Sequence, residues 1–421
     1  MKVLILGSVP PSAFKALNID KPVYGAGWVE NLISFLSKEE IEVYCMFITA
    51  EVNEVIFKKY DGINFVAVPE TSGDLGSKFN SFKNTFDELL KNINPDLVHI
   101  IGTEREYNYS MFKAFDKPNR TIISLTGLIT YCGEYYLGNI DKNKIKRRTI
   151  GDVLRKWGPL IEQDGFFKAA VYEQKLLKEA KYVFGRTSWD KEKSLGFNPN
   201  LNYIHCGEII NPVFYSKEWD FDKCEKHSIF ISQASYPLKG FHFLIEALPE
   251  IIKKYPDTKV YVAGIDMFDS STLIKRIKRS TYANYLLEQI KRLKIDKNCI
   301  KFVGYLSSEQ MMNQYLKANV FVLSSTVENS PNSLGEAMTL GVPSVASCVG
   351  GVPDMMENDK DGLIYPSNDS SLLAKHIISI FEDKELAVKL SKNAKIKARQ
   401  FFDKEDVIKT TIKTYKKISG E

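Results

Sequence analysis

The residues best suited to chemistry lie in SSTVENSPNSLGEAMTLGVPSVAS, residues 324–347. Two carboxylates, Glu328 and Glu336, flank NSPNSLG, where Asn329, Ser330, Asn332 and Ser333 precede a helical pattern. An apolar strand pattern leads into them, and open α/β sheets bind ligands beyond the carboxyl ends of their strands. A polar turn at a helix start also offers unpaired backbone N–H groups, which favour a phosphate. Glu328 falls in the turn and Glu336 about two turns into the helix region, so the two need not meet the same atom. The plainer reading of such a pair makes Glu328 a helix cap and Glu336 half of a surface ion pair.

Context weighs against the plainer reading. Upstream, SYPLKGFHFLIEAL (235–248) places Lys239 and Gly240 after a strand and ahead of an amphipathic helix. There a lysine can aim its point charge at a phosphate, and a glycine lets the chain approach closely. Between these segments, KFVGYLS (301–307) ends a strand at Gly304 and Tyr305, an edge where a flat base could bond to main chain. CVGGVPDMM (348–356) adds Gly350 and Gly351 at another strand end. Four strand ends of one domain thus carry ligand-type turns.

Short β-branched runs alternating with amphipathic segments must position these turns, the pattern of a parallel sheet covered by helices. Strands are expected at 2–6, 42–48, 63–68, 96–101, 121–125, 182–185 and 202–206, and in a second series at 228–232, 259–264, 299–304, 320–325 and 342–347. The aperiodic stretch 211–227 reads as a linker between two Rossmann-like domains. From about residue 370 the pattern is helical, and the last segment, from Phe402, could cross back to the first domain.

At 421 residues, with 44% hydrophobic and 26% charged residues, the chain fits two ordinary globular domains and leaves no case for disorder. Its six scattered cysteines form no C-x-x-C pair and read as small core residues in a reducing compartment. The opening MKVLILGS is too short an apolar run for a signal peptide, and no stretch is long enough to span a membrane. A cytoplasmic protein is expected. The formal charge of +5 is modest, but DKNKIKRRTIGDVLRKWG (141–158) concentrates seven cations against two acids. It is either a solvated basic face or a contact for anionic lipid headgroups or a phosphorylated acceptor. A second basic cluster, KRIKR (275–279), decides between neither. Aromatic interleaving of the nucleic-acid-binding kind is missing, so no nucleic acid is expected as a partner.

The order of these motifs resembles the GT-B retaining glycosyltransferases of family 4, in the form found among bacterial surface-polysaccharide enzymes. A glycine loop near the N-terminus is followed by K-G, F-x-G-x-L, Glu-seven-Glu with E-A-M, G-x-P and G-G-x-P. The resemblance implies an α/β GT-B fold with two Rossmann-like domains facing across a cleft. The acceptor-side domain would cover 1–215 with the returning helix 402–421, and the sugar-nucleotide domain 216–401. Carried over by motif, Lys239 would bind the donor diphosphate beside Gly240, Glu336 the ribose, and Glu328 the transferring sugar as the catalytic carboxylate. The main chain of Asn329, Ser330, Asn332 and Ser333 would hold sugar and phosphate, and Gly304 with Tyr305 would flank the base. In GAGWVENL, Gly25 and Gly27 would line the cleft, although a plain tight turn explains them too. Two departures stand out. The family's usual arginine is Ala234 here, so Arg186 or one of the cations at 146–148 would have to replace it. The usual cleft histidine is also missing, and Thr126 or Gly127 takes its place. His99 and His205 sit in strand patterns and read as core residues.

The reaction so implied moves a hexose, with retention, from a nucleoside-diphosphate sugar to a glycan or polyisoprenyl-linked acceptor, UDP being the default base. No Asp-x-Asp ends a strand and no His/Cys cluster has ligand spacing, so neither a metal nor a cofactor is expected. Two rivals are a UDP-sugar isomerase of the same fold and a non-catalytic sugar-nucleotide-binding partner. A protein at the inner membrane face would give the 142–156 segment a purpose.

Overall fold

The computed structural model describes residues 1–21 and 27–420, so Gly25 lies outside the described residues. The chain divides into two compact units. Unit 1 comprises Met1–Thr130, Phe167–Asn211 and Phe402–Glu421, and unit 2 comprises Tyr131–Phe166 and Pro212–Phe401.

Unit 1 is built on β1 (Lys2–Leu6), β2 (Glu42–Thr49), β3 (Ile56–Tyr60), β4 (Ile63–Pro69), β5 (Leu97–Ile101), β6 (Thr121–Ser124), β7 (Tyr182–Gly185) and β8 (Asn202–His205). Their order is β3-β4-β2-β1-β5-β6-β7-β8, parallel throughout except for β3 against β4. β5 is buried at every position, as a strand covered on both faces must be. Sequence periodicity did not register β3: IFKKY is largely exposed, as suits a charged edge strand. The helix Lys404–Ser419 belongs to this unit. It places Val407, Tyr415 and Ile418 in the hydrophobic core, and the Tyr415 hydroxyl lies 2.6 Å from Nδ1 of the buried His99. The expectation of a core residue fails for His205, which is exposed because β8 is the opposite edge of the sheet.

Unit 2 carries β9 (Ser228–Ile231), β10 (Lys259–Val262), β11 (Ile300–Phe302), β12 (Val320–Leu323), β13 (Ser344–Ser347) and β14 (Leu363–Tyr365). All run parallel in the order β11-β10-β9-β12-β13-β14. β14, only three residues long, was too short for periodicity to reveal. The order reverses direction between β9 and β12, and such a switch point is where doubly wound sheets open a crevice for ligands. The turns after β9, β12 and β13 carry Lys239, Glu328 and Gly350, so adjacency in the sheet gathers residues more than a hundred positions apart.

Residues 131–166, placed with the N-terminal domain on sequence grounds, group with unit 2. The Tyr136 ring stacks on Tyr236, with centroids 6.2 Å apart and planes within 4°. The Gly138 carbonyl accepts from Nε2 of buried His242 at 2.7 Å, and the Tyr135 carbonyl accepts from the Thr326 hydroxyl at 2.8 Å.

Candidate active site

Two glycines bring the switch-point turns together. Gly240 has φ +67°, and a Cβ there would sit 1.8 Å from the Ser324 carbonyl oxygen. Gly350 has φ +52°, and its Cβ would sit 1.8 Å from the Glu328 carbonyl oxygen. No other residue type fits either place without moving the chain. Around them, the Ser324 hydroxyl donates to the Lys239 carbonyl at 2.9 Å, Thr326 N–H to the Leu238 carbonyl at 2.9 Å, and Gly351 N–H to the Glu328 carbonyl at 3.0 Å.

The result is a close ion pair. Lys239 Nζ lies 2.6 Å from Glu328 Oε1, and the Ser325 hydroxyl donates to the same oxygen at 2.6 Å. Burial works to lower the pKa of Lys239, but the adjoining Glu328 carboxylate outweighs it and raises the value, so the lysine stays charged. An ammonium has three N–H donors, and among the described residues only Glu328 takes one. Lys239 borders a cavity of about 220 Å³ with Ser232, Gln233, Ser324, Ser325 and Ser333, and is the one cation among its lining residues.

Glu328 does not cap the following helix. Pro331 is the N-cap of Asn332–Leu340, and no side chain caps it. The Ser330 hydroxyl and the Asn332 side-chain oxygen beside this helix start are buried without a hydrogen-bond partner among the described residues. A buried orphan polar atom costs about 1–3 kcal/mol, so two at one helix start mark a place prepared for a polar ligand. Nor is Glu336 in a surface ion pair. Its carboxylate accepts from the fully buried Tyr315 hydroxyl at 3.1 Å, and that hydroxyl also lies 2.9 Å from the Ser333 carbonyl. Burial raises the Glu336 pKa to about 8, against a smaller opposing effect of Tyr315.

The remaining predicted residues fall in two places. In unit 2, Gly304 has φ +78° and its carbonyl accepts from Gly264 N–H at 2.8 Å, while Tyr305 is exposed. Asn329 is buried in the turn, and Ala234 is buried at the position where a cation was sought. In unit 1, Gly27 opens the helix Gly27–Leu36. Thr126 donates to Glu104, and Gly127 offers its carbonyl to the Thr103 hydroxyl. Arg186, offered as a replacement cation, is spent on structure. It is 5% exposed, pairs with Glu208 at 2.6 Å, and donates to the carbonyls of Leu125 and Thr126.

Sequence reasoning missed several participants. Ser325, Tyr236 and Tyr315 surround Lys239, Glu328 and Glu336, and no local pattern distinguishes them from packing residues. Glu173, fully buried, accepts from Ile129 N–H and Thr130 N–H at 2.9 Å each and from the Thr103 and Thr130 hydroxyls. It fixes the turn in which the expected histidine is absent. A separate pocket of about 370 Å³ opens at the ends of β1, β2, β4 and β5, bordered by Ile48, Glu70, Lys78, Arg105 and Tyr107. Among the described residues, no helix is long and apolar enough to cross a membrane.

Comparison with known proteins agrees with this geometry. Residues 214–397 match the family model of Glycosyl transferases group 1. The putative glycosyltransferase YtcC of Bacillus subtilis is 24% identical over 343 residues, covering 80% of this chain and 74% of its own. Among solved structures, sucrose-phosphate synthase from Thermosynechococcus elongatus superposes with a TM-score of 0.74 at 17% identity, covering 100% and 99% of the two chains. Anabaena HepE, solved with UDP and glucose, gives 0.63 at 17% identity and covers 100% of both. At such identities the two superpositions speak for the fold.

Proposed function

From the match of residues 214–397 to group 1 glycosyltransferases, we propose that the protein is a retaining, metal-independent hexosyltransferase using a UDP-sugar. Its acceptor is a glycan or polyisoprenyl-diphosphate-linked saccharide in cell-surface polysaccharide synthesis. The observation that carries this reading is the Lys239–Glu328 pair beside an uncapped helix start with two orphan polar atoms. HepE, whose fold this chain shares, was solved with UDP and glucose, which favours UDP as the base.

In this reading the donor diphosphate draws Lys239 away from Glu328 and settles against the N–H groups at the start of Asn332–Leu340. That leaves the Glu328 carboxylate beside the sugar. The bond between the anomeric carbon and the diphosphate oxygen then breaks, and the electron pair leaves with UDP. Lysine and helix start meet its growing charge, the kind of preorganised stabilisation that dominates many transferases. Glu328 faces the positive charge on the sugar. The acceptor hydroxyl attacks from the leaving-group side and passes its proton to the departing phosphate oxygen, so configuration is retained. Glu336 holds the ribose hydroxyls.

The test is UDP release from a panel of UDP-sugars with saccharide acceptors, with and without a chelator, and the product anomer read by NMR. A retained anomeric configuration and chelator-insensitive turnover are expected. Acceptor-free isomerisation of the donor, or an inverted product, would replace this reading.

A further inference from the structure

Outside the donor site, unit 2 presents a surface built against the usual sense of a protein fold, with polar groups turned in and aliphatic groups turned out. Two short helices form it, Ile150–Leu154 and Leu273–Ile277. The chain at their sides is welded by polar contacts. The Thr149 hydroxyl donates to the Arg279 carbonyl at 2.7 Å, and Arg155 donates to the Lys278 carbonyl at 2.7 Å. Asp152, fully buried, accepts from the backbone N–H and hydroxyl of Thr281 at 2.7 and 2.6 Å. Gly151 lies so close that a Cβ would come within 2.7 Å of the Lys278 backbone.

This arrangement leaves the aliphatic side chains in solvent. Ile150 is 65% exposed, Leu154 71%, Leu273 69% and Ile274 63%, with Val153 and Ile277 beside them. The same contacts join two basic clusters far apart in sequence. Lys146, Arg147, Arg148 and Lys156 flank the helix Ile150–Leu154, and Lys275, Arg276 and Lys278 lie in or beside Leu273–Ile277, all exposed. Lys275 pairs with Asp269 at 2.6 Å, but among the described residues Arg147, Arg148, Lys156, Arg276 and Lys278 have no acidic partner. Exposed aliphatic groups interspersed with cations along two joined segments do not stabilise a fold. They match one kind of surface, a bilayer with anionic headgroups, where the apolar residues enter the acyl boundary and the cations meet phosphates.

We propose that the Ile150–Leu154 and Leu273–Ile277 helices form a single membrane-docking wedge that seats unit 2 on an anionic lipid bilayer. The wedge is independent of which sugar is transferred, and its failure would leave the donor site untouched.

Co-sedimentation of the full chain with vesicles tests it. The protein should pellet with phosphatidylcholine vesicles containing phosphatidylglycerol, stay in solution with phosphatidylcholine alone, and be released by salt. The Arg147→Gln/Arg148→Gln/Lys278→Gln variant should bind on the order of 100-fold more weakly. Leu154→Ser/Ile274→Ser should weaken binding by at least about tenfold. Both sets of side chains are exposed, so the melting temperature should hold, and Leu154→Ser/Ile274→Ser should keep UDP binding. Wild-type protein left in solution with anionic vesicles at low salt would overturn the proposal. So would undiminished binding by either variant. A dimer that Leu154→Ser/Ile274→Ser converts to a monomer, with no vesicle binding, would assign the face to a second copy of the chain.

Discussion

The two units each bury a cation against a glutamate at the carboxyl ends of their strands, and the two pairs are built for opposite ends. In unit 1, Arg186 meets Glu208 at 2.6 Å through one terminal nitrogen, and its other terminal nitrogen donates to the Leu125 and Thr126 carbonyls. In unit 2, Lys239 meets Glu328 at the same distance, but among the described residues two of its three donors find no partner, and Lys239 borders an open pocket. Guanidinium donors are fixed in a planar fork and suit a closed network. An ammonium on a flexible stem can turn from one partner to another. A cation tied to two main-chain carbonyls locks a turn, and one held by a single carboxylate keeps binding capacity in reserve for an anion. This difference explains why Arg186 does not supply the cation missing at Ala234, although both lie near strand ends.

Several measurements would break or sharpen this contrast. The largest effect is expected from Arg186→Met, which leaves Glu208 buried without its cation. Breaking such a pair costs about 3–5 kcal/mol, so urea unfolding should shift strongly while UDP affinity in the folded protein is kept. A stable variant that had lost UDP binding would erase the distinction between the pairs. Next in size is Lys239→Ala, for which UDP release should fall by about 10²–10³ in kcat with a much smaller loss of stability. Full turnover in this variant would remove Lys239 from the site.

The pH dependence of Glu336 should be smaller. With its pKa raised to about 8, the carboxyl is mostly protonated at neutral pH and cannot accept from both ribose hydroxyls. UDP affinity, read by calorimetry, should therefore strengthen by up to about tenfold per unit as pH rises toward 8, then level off. Glu336→Gln should flatten that dependence. The stability contribution runs the other way. A carboxyl whose folded pKa lies above its unfolded value stabilises the fold at low pH, and that contribution is lost as pH climbs from the ordinary carboxylate range through about 8. The smallest effect is expected from Ser330→Ala. Removing an orphan hydroxyl should leave the melting temperature unchanged or higher, yet weaken UDP binding by about fivefold, the value of one hydrogen bond. Unchanged affinity would mean the hydroxyl waits for something other than the donor.

What the amino-acid sequence determined by itself is local. Strand positions follow from runs such as KVLIL and YVFG, whose bounds in the structure are those read from periodicity. The K-G turn and the glutamates flanking NSPNSLG were legible because small polar residues and glycine after an apolar run leave few other conformations open. Only the tertiary structure decided what these residues meet. It set Lys239 against Glu328, Glu336 against Tyr315, and Arg186 against Glu208, because sheet order places β9, β12 and β13 side by side whatever their separation in the chain. It moved residues 131–166 to unit 2 through Tyr136, Gly138 and Tyr135, contacts with no trace in periodicity. It also joined two basic clusters that neither charge nor spacing had linked. Local pattern reports what each residue prefers, whereas partners are chosen by distances that arise only once the chain has closed on itself.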